Sequence, residues 1–501
     1  MSTVEGTLSQ QLERFRKLRV AVVGDLFLER VLLGRMTGVA AEGPTPVLEV
    51  ESRRHLLGGA GYAAEILAAF GCQVEVLAFA GDDEPGRIAG QLLEERGILP
   101  TLLRVAGLAT PVVTRVLAMS QREAPHEAFR LRENPSPRLP EKEQGEFQLT
   151  LRQRLPTLDA VLLVEQGFGL VPGGVYHELE KRADRPPVVV GDLQSQALSA
   201  RSLDALVLNV EEAAQAAGKL PRDEEEGIAL AENLRARCGV RCLLLTRGSQ
   251  PAIAAVEDEG TFLLPVEAVP VFDVTGAGET VSSVLAMALG AGMNWRSAAE
   301  LALRAASLSV TLPGRAVVHP QELLRYEQRR TAALQAEKIV SLGQLRQIVA
   351  NAKRRGLRVV WTNGCFDLLH VGHILYLEKA KQLGDLLIVG INSDASVRAT
   401  KGPGRPIVHQ AQRARLLASL SCIDYVLIFD DPSPKDIIAE LKPDVYVKGG
   451  DYTVDTINQE ERRIVEGYGG EIALLPGVEG MSTTELIRRI LAAYTESNTS
   501  K

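Results

Sequence analysis

The chain alternates short apolar runs with longer helix-prone stretches, and it does so in two successive cycles. In the first 310 residues, runs such as RVAVVGD, PVVVGD and CLLLTRG are separated by helical segments, and a second cycle begins after the motif VVHP. This rhythm is typical of α/β domains with a largely parallel sheet. Because 501 residues also exceed what one hydrophobic core usually supports, the sequence predicts two or three domains.

The segment LLRYEQRRTAALQAEK lies between the two cycles, is polar and helix-prone, and has no strand signal. We therefore predict a first domain over residues 1–320, a linker or connecting helix over 321–337, and a second domain over 338–501. The second cycle predicts a smaller doubly wound sheet, in which ligands bind at the carboxyl ends of the strands. The segments TNGCFD, NSD and KGGD should then face one crevice.

Charge and composition exclude several classes of protein. The net charge of −7 gives no broad attraction to nucleic acid or anionic membranes, and no apolar stretch is long enough to span a bilayer. Five scattered cysteines suit reduced thiols in a cytosol, and Cys238 and Cys242 lack the paired partners of a zinc site. We expect a cytoplasmic protein that acts on small molecules, without a nucleic-acid or membrane partner and without a protein-bound metal.

The densest chemical signal is WTNGCFDLLHVGH at residues 361–373, where an apolar strand runs into a glycine turn and then a helix. His370 and His373 are three residues apart at the helix start, so both can project toward an anion held by unpaired backbone N–H groups. Gly372 lets a phosphate approach the backbone closely. Attack of one phosphate on another needs little proton transfer, so the motif predicts that His370 and His373 catalyse nucleotidyl transfer as hydrogen-bond donors.

Two other interpretations of the histidine pair remain open. A zinc site is one of them, although zinc pairs on a helix are usually spaced i, i+4 with a glutamate between, and no third ligand is evident nearby. The other is that both histidines are incidental surface residues.

With its flanks, this motif resembles the nucleotidyltransferase superfamily that carries a His-x-Gly-His signature. The resemblance covers residues 338–490, where TNGCFDLLHVGH, NSDASVRATKGPGRP, the pair Gln412 and Arg413, LKPDVYVKGGDY and GMSTTELIRRI occur in order. Within the superfamily the segment is most similar to the ADP-heptose synthase domain, which usually follows a heptose 7-phosphate kinase. The resemblance implies that the substrates are ATP and a heptose 1-phosphate.

The resemblance also implies roles for individual residues. It implies that Lys401 and Arg413 contact phosphates. It also implies that the nucleotide and substrate pocket is lined by Thr362, Asn363, Gly364, Phe366 and Asp367. The residues that close over the triphosphate would be Ser482, Thr483 and Thr484. A loop lysine is otherwise most often solvated, and hydroxyls at a helix start can form an N-cap alone.

Three more polar residues follow strands of the second cycle. Asp394 and Asp451 either serve the substrate or cap turns. Lys448 stands beside two glycines at a strand end and is therefore a candidate phosphate or sugar contact.

A second glycine-rich turn occurs in DVTGAGETVSSVLAMALG, where Gly276, Ala277 and Gly278 directly precede a long apolar helix. Their backbone N–H groups can form an anion hole, although such a turn can also serve helix packing alone.

Together with LLGGAGYAAEILAAFG, NVEE and the opening strand AVVGDLFLE, this turn resembles the ribokinase family of sugar kinases over about residues 15–318. The resemblance implies a ribokinase-like α/β fold for the first domain. It also places Asn209 and Glu212, which match an N-x-x-E element, near magnesium and phosphate.

Four positions depart from that family's pattern. Glu279 stands where the family has an aspartate general base, so the carboxylate is one methylene longer. A displacement of about 1 Å can cost on the order of 100-fold in rate. Tyr62 stands where the family has a sugar-binding asparagine, and Glu29 and Glu165 stand where heptose kinases carry aspartate. Three interpretations follow: a weakened or dead kinase kept as a scaffold, a kinase for an altered substrate, and a normal heptose 7-phosphate kinase.

The residues predict a nucleotidyltransferase, and the resemblance implies that it converts D-glycero-β-D-manno-heptose 1-phosphate and ATP to ADP-heptose and pyrophosphate. We expect Mg²⁺ bound with ATP, no organic cofactor, and a homo-oligomer, most simply a dimer. The alternatives are a fully bifunctional kinase and adenylyltransferase, a cytidylyltransferase that uses CTP and an alcohol phosphate, and a nucleotide-binding scaffold without turnover.

Overall fold

The computed structural model describes residues 8–119, 126–133, 139–181, 187–194, 203–267, 269–312, 314–450, 453, 455–476 and 488, with residues 331–334 described by their backbone alone. The chain forms two compact units, Met1–Tyr326 and Glu327–Lys501. No described helix is both long and apolar enough to cross a bilayer.

The described strands of the first unit form two sheets. In chain order they are β1 (Arg19–Gly24), β2 (Leu26–Val39), β3 (Pro46–Gly59), β4 (Gln73–Gly81), β5 (Leu99–Val105), β6 (Val112–Met119), β7 (His126–Glu133), β8 (Ala160–Glu165), β9 (Val188–Leu193), β10 (Ala205–Asn209), β11 (Cys242–Arg247), β12 (Gln250–Val256) and β13 (Gly260–Leu264). The larger sheet has the order β13-β12-β11-β10-β9-β8-β1-β4-β5, and the smaller has the order β3-β2-β6-β7.

The larger sheet is parallel from β11 to β5 and antiparallel only at β12 and β13. The interior strand β8 is buried along its whole length, and β1 is buried except at Arg19. Helices on both faces exclude water from such strands, which is why they occur in the sequence as continuous apolar runs.

The described helices of this unit follow and interleave with the strands. They are α1 (Leu8–Phe15), α2 (Ala60–Ala69), α3 (Glu84–Glu95), α4 (Glu141–Arg154), α5 (Gly174–Glu180), α6 (Val210–Ala217), α7 (Glu224–Cys238), α8 (Ala277–Gly290) and α9 (Trp295–Ser309), with α10 (Pro320–Glu337) running across the division between the units. Helix α8 is the core helix, because every residue from Thr280 to Leu289 is buried.

The second unit is a smaller parallel sheet covered by helices. Its described helices are α11 (Leu342–Arg354), α12 (Val371–Lys381), α13 (Asp394–Lys401), α14 (Gln410–Ala418), α15 (Lys435–Leu441) and α16 (Gln459–Gly467), and its strands are β14 (Val359–Gly364), β15 (Leu386–Asn392), β16 (Tyr425–Phe429), β17 (Val445–Gly449) and β18 (Glu471–Leu475). The strand order is β16-β15-β14-β17-β18, with all neighbours parallel.

This order puts a topological switch point at β14. The chain builds the sheet outward from β14 through β15 and β16, and then returns to the other side of β14 for β17 and β18. A crevice therefore opens at the carboxyl ends of β14 and β17, between the loops that follow these two strands. The predicted fold class, an α/β domain followed by a smaller doubly wound domain, is confirmed.

Candidate active sites

The first candidate site lies at this crevice, in the loop between β14 and α12. Gly364 ends β14, and a Cβ added there would lie 3.1 Å from the ring of Phe366. Phe366 has a left-handed backbone with φ 44°, which costs roughly 1–2 kcal/mol for a residue with a Cβ. Its ring is buried and meets the His373 ring edge-on, with centroids 5.4 Å apart. The loop thus stores some strain to bring an aromatic ring against the histidine.

His370 and His373 lie side by side at the start of α12. His370 is the N-cap residue, its side chain makes no capping hydrogen bond, and its ring centroid is 3.8 Å from that of His373. Gly372, between them, is buried. The Nδ1 atoms of both rings are buried and have no hydrogen-bond partner among the described residues. Buried polar atoms are rarely left unpaired, so this pair indicates a place for a polar ligand.

The surroundings hold both imidazoles in the neutral form. Burial lowers the pKa of His370, while burial, the neighbouring His370 and the Lys401 ammonium group lower the pKa of His373 to about 4. Lys401 is the last residue of α13, and its side chain is exposed. At neutral pH the crevice therefore offers imidazole N–H donors and a lysine cation.

Asp367 connects the loop after β14 to the loop that follows Lys401. Its carboxylate is buried and accepts hydrogen bonds from the backbone N–H groups of Ile407 at 2.8 Å and Val408 at 2.9 Å, and from Nε of Arg405 at 2.5 Å. Burial alone would raise the pKa of Asp367, but these hydrogen bonds and the Arg405 charge lower it. The resemblance placed Asp367 on the ligand, and the structure shows its oxygens occupied by protein donors.

Arg413 and Asp394 form a buried ion pair behind the crevice. The Arg413 side chain is fully buried, and its Nη2 lies 2.7 Å from Asp394 Oδ1. Its Nη1 donates to the carbonyl of Cys365 at 2.6 Å, and its Nε donates to the carbonyl of Val408 at 2.9 Å. Each nitrogen of this guanidinium already has a protein acceptor, which leaves it poorly placed for the phosphate contact that the resemblance implies.

Lys448 and Asn363 face each other across the ends of β14 and β17. Lys448 Nζ donates to Asn363 Oδ1 at 3.1 Å and lies 3.6 Å from a carboxylate oxygen of Glu461. Glu461 also accepts a hydrogen bond from the Tyr446 hydroxyl. Burial lowers the pKa of Lys448, and Glu461 opposes that effect. No sequence motif signalled Glu461, because it stands in a charged helical segment that resembles any solvated surface.

The remaining predicted residues are Thr362, which the structure describes, and four that it does not. The Thr362 side chain is fully buried and its hydroxyl lies 2.6 Å from that of Tyr376, which makes it part of the sheet's packing. Asp451 and the residues Ser482, Thr483 and Thr484 lie outside the described residues.

The second candidate site surrounds the glycine-rich turn before α8. Gly276 has φ 86° and is the N-cap residue, and a Cβ added there would lie 2.6 Å from the ring of Tyr62. Glycine is therefore required on both conformational and steric grounds. The N–H group of Ala277 donates to the Val274 carbonyl at 3.3 Å, so it is less available to an anion than predicted. The positive end of the helix dipole remains at this turn, beside Gly278.

Residues of this turn line two cavities. One of about 190 Å³ includes Glu279 and is lined by four arginines, Arg115, Arg130, Arg132 and Arg315, against a second glutamate, Glu29. The charged lining side chains are four arginines and two glutamates, and Glu127 outside the lining pairs with Arg115 and Arg130. The other, of about 320 Å³, is largely apolar and is lined by Ala277, Gly278, Val281 and other aliphatic residues. An anionic acceptor fits the first cavity, and an uncharged ring such as a nucleobase fits the second.

Carboxylates gather behind the turn. Asn209 and Glu212 form a capping box on α6, in which Asn209 Oδ1 accepts from Glu212 N at 2.8 Å and Glu212 Oε2 accepts from Asn209 N at 2.9 Å. Asp192 accepts from the Ser282 hydroxyl at 2.8 Å, and burial, Glu279 and Glu212 raise its pKa. Within the described ranges, no group of three or more such side chains is arranged to hold a metal ion.

The positions that depart from the ribokinase pattern are tied into this site. Tyr62 is buried, donates to the carbonyl of Ala316 at 3.0 Å, and lies under the Arg315 guanidinium with 3.8 Å between Cζ and the ring centroid. Glu29 is buried between Arg315 and Arg115, the latter at 3.4 Å. Where the ribokinase family has a sugar-binding asparagine, this chain thus has the Tyr62 ring covered by the Arg315 guanidinium, which we call the aromatic wall.

Two family models match separate parts of the chain. Residues 361–489 match the cytidylyltransferase-like family, and residues 180–321 match the pfkB family of carbohydrate kinases. The bifunctional protein HldE of Citrifermentans bemidjiense is 39% identical over 487 residues, which cover 96% of this chain and 98% of that protein. HldE of Paramagnetospirillum magneticum is 37% identical over 492 residues, with 96% and 99% covered.

Solved structures resemble the first unit. The phosphofructokinase-2 from Escherichia coli in complex with potassium superposes with a TM-score of 0.52 at 13% identity, covering 62% of this chain and 99% of that one. A similarity at this level of identity concerns the fold alone, and it supports the ribokinase-like arrangement of the first unit.

Proposed function

The chain belongs to the family of the bifunctional HldE proteins, and on this basis we propose that its second unit transfers the adenylyl group of ATP to D-glycero-β-D-manno-heptose 1-phosphate. The products are ADP-heptose and pyrophosphate. The observation that carries the proposal is the pair of adjacent imidazoles at the start of α12, whose buried Nδ1 atoms have no hydrogen-bond partner among the described residues. The sugar and the base come from the resemblance of residues 338–490 to ADP-heptose synthase domains.

In the proposed reaction a phosphate oxygen of the sugar attacks the α-phosphorus of ATP. A new P–O bond forms while the bond from the α-phosphorus to the bridging oxygen breaks, and pyrophosphate leaves. Because His370 and His373 are neutral, each stabilises the transferring group through an N–H donor and not as a cation. The positive charge that meets the departing pyrophosphate then comes from Lys401 and from Mg²⁺, which accompanies the triphosphate.

The polar residues around the histidines divide into two roles. Asp367, Asp394 and Arg413 position the loops, because their charged atoms are occupied by protein partners. Lys448 and Asn363 face each other at the strand ends and are candidates for contacts with the nucleotide or the sugar. This division predicts that variants of the first group lose stability, whereas variants of the second lose substrate affinity.

A nucleotide panel tests the adenylyltransferase proposal. We expect the wild-type chain to release pyrophosphate from ATP and heptose 1-phosphate, and to form ADP-heptose by mass spectrometry. His370→Ala and His373→Ala should lower kcat by about 100- to 1,000-fold, the cost of removing one transition-state donor. His177→Ala, at an exposed histidine of the first unit, is the control and should match the wild type.

Three results would redirect the proposal. Preference for CTP with an alcohol phosphate would make the chain a cytidylyltransferase. Full activity of His370→Ala would remove the catalytic assignment, and absence of turnover with every nucleotide would leave the scaffold interpretation.

A second function is favoured by the arginine-lined cavity at Glu279. We propose that the first unit phosphorylates the anomeric hydroxyl of heptose 7-phosphate, because four arginines suit a sugar that already carries a phosphate. Phosphoryl transfer from ATP to a sugar panel, measured for wild type and Glu279→Asp, tests it. Wild-type activity equal to or above that of the variant would exclude a dead kinase, and no transfer to any sugar would support the scaffold interpretation.

We further propose that the chain acts in the cytoplasm, because both proposed reactions use ATP, and that it acts on small molecules alone. We also propose that it forms a homodimer. Light scattering of the purified chain tests the dimer, for which a mass of two chains is expected.

A further inference from the structure

The backbone of Gln166 is held on both sides. Gln166 directly follows β8, and its N–H group donates to Oδ2 of the buried Asp25 at 2.7 Å, while its carbonyl accepts from Nη2 of Arg132 at 2.9 Å. Asp25 also accepts from the N–H groups of Phe168 at 3.1 Å and Leu170 at 3.0 Å. One carboxylate thus fixes three N–H groups of a short loop.

The turn geometry adds to this rigidity. Gly167 and Gly169 have φ values of 72° and 73°, which other residues adopt rarely, and the N–H of Gly167 donates to Glu165 Oε1 at 2.7 Å. The loop therefore has a defined shape, and the side chain of Gln166 starts from a fixed backbone position.

From this position the side chain of Gln166 reaches Glu279. Its Nε2 donates to Glu279 Oε1 at 2.8 Å, although 113 residues separate the two in sequence. Both residues line the arginine-rich cavity at the turn before α8. The contact uses Oε1 and leaves Oε2 of Glu279 for a substrate hydroxyl.

We propose that Gln166 is a positioning residue that adapts the kinase site to a glutamate general base. A glutamate carries its carboxylate one methylene farther from the backbone than an aspartate and has one more rotatable bond. An amide donor on a rigid loop removes that added freedom and aims Oε2 into the cavity. The inference rests on the kinase function proposed above.

In the proposed step, Glu279 acts as the general base. Oε2 of Glu279 takes the proton of the sugar hydroxyl, the hydroxyl oxygen forms a bond to the γ-phosphorus of ATP, the bond to the β–γ bridging oxygen breaks, and ADP leaves. Gln166 does not touch the reacting atoms. Its loss should therefore affect kcat for the sugar and leave the KM for ATP unchanged.

A double-mutant cycle in the full chain tests the proposal. Gln166→Ala should lower kcat of sugar phosphorylation by about 10- to 100-fold. In the Glu279→Asp background the shorter carboxylate has withdrawn from the amide, so the same Gln166→Ala change should cost less than about twofold. An equal factor in both backgrounds, or full activity of Gln166→Ala, would overturn the inference.

Gln166→Glu is the matched control for size. It keeps the shape of the side chain and the backbone contacts with Asp25 and Arg132, but it replaces the N–H donor with a second carboxylate. We expect a loss at least as large as that of Gln166→Ala, whereas a purely packing role predicts near-wild-type activity and would contradict the proposal. Thermal unfolding of the first unit, measured on the same preparations, reports intact folding and should match the wild type, and adenylyl transfer by the second unit should not change.

The outcomes also separate this inference from the function on which it rests. A wild-type chain that phosphorylates no sugar removes both the kinase function and the positioning role. A wild-type kinase that is insensitive to Gln166→Ala removes the positioning role alone.

Discussion

His373 is packed against His370 and Phe366, and its uncharged state links the crevice to the stability of the second unit. Its pKa in the fold is about 4, against an ordinary value of 6.5. The unfolded chain therefore binds more protons between these values, so this contribution to stability is fully present above pH 6.5 and is lost as the pH falls through about 4. We expect a loss of about 1–2 kcal/mol from this group, after allowance for its partial exposure.

Urea denaturation of wild type and His373→Gln between pH 7 and pH 4 measures this contribution. Other groups titrate in both proteins, so the difference between the two free energies of unfolding isolates the imidazole. As the pH falls, the free energy of unfolding of the wild type should decrease relative to that of His373→Gln. Parallel curves would show that His373 is not held neutral by its surroundings.

Arg413 gives a second prediction at the scale of one residue. Arg413→Ala leaves the Asp394 carboxylate buried without its partner and removes donors from the carbonyls of Cys365 and Val408. Such a change costs about 3–5 kcal/mol. The neighbouring exposed residue provides a control, because Gln412→Ala should stay within about 0.5 kcal/mol of wild type.

Chemical denaturation of the two variants decides the role of this arginine. A normal free energy of unfolding for Arg413→Ala, combined with a raised KM for ATP, would return Arg413 to the phosphate-binding role that the resemblance implies.

The sequence predicted which side chains lie together only where they belong to one local motif. His370 and His373 share one helical turn, so their spacing alone predicted that they lie together. Arg413 reaches Cys365 across 48 positions of the chain, and Gln166 reaches Glu279 across 113. Contacts of this kind depend on how two distant loops pack, and no local pattern encodes them.

At the scale of an element, the turn before α8 gives a prediction with an internal control. Gly276→Ala combines a positive φ with a Cβ that meets the Tyr62 ring, whereas a Cβ at Gly278 meets no atom within 4 Å. We expect Gly276→Ala to lower the stability of the first unit by about 1–3 kcal/mol. Gly278→Ala should leave it unchanged or slightly raise it, because alanine favours a helix.

Thermal and urea denaturation of these two variants measures the effect. Equal stability of both would mean that the turn can move away from Tyr62, and that the aromatic wall does not fix its position.

The elements themselves were predictable in proportion to their burial. Strands covered on both faces, such as β1 and β9, occur as apolar runs and were identified from the sequence. The sheet β3-β2-β6-β7 was not, because β7 is exposed along most of its length and its sequence HEAFRLRE has no apolar run. Three of the arginines that line the cavity at Glu279 nevertheless belong to strands of this sheet, namely Arg115, Arg130 and Arg132.

At the scale of the whole molecule, the two activities that we propose belong to two compact units, each with its own core. We therefore expect that a single substitution in one unit removes the activity of that unit and keeps the other. Glu279→Gln should abolish sugar phosphorylation and keep adenylyl transfer, and His370→Ala should do the reverse. Rate measurements of both reactions on each variant check this, and loss of both activities in either variant would contradict independent sites.

The claim on which the account depends is that the crevice at His370 and His373 transfers an adenylyl group. The most direct test incubates the full chain with heptose 1-phosphate and ATP labelled with ³²P at either the α or the γ position. We expect the α-label to move to a sugar nucleotide and the γ-label to move to pyrophosphate, and we expect His373→Ala to suppress both transfers. Retention of the α-label in ATP, or its transfer at an undiminished rate by His373→Ala, would contradict it.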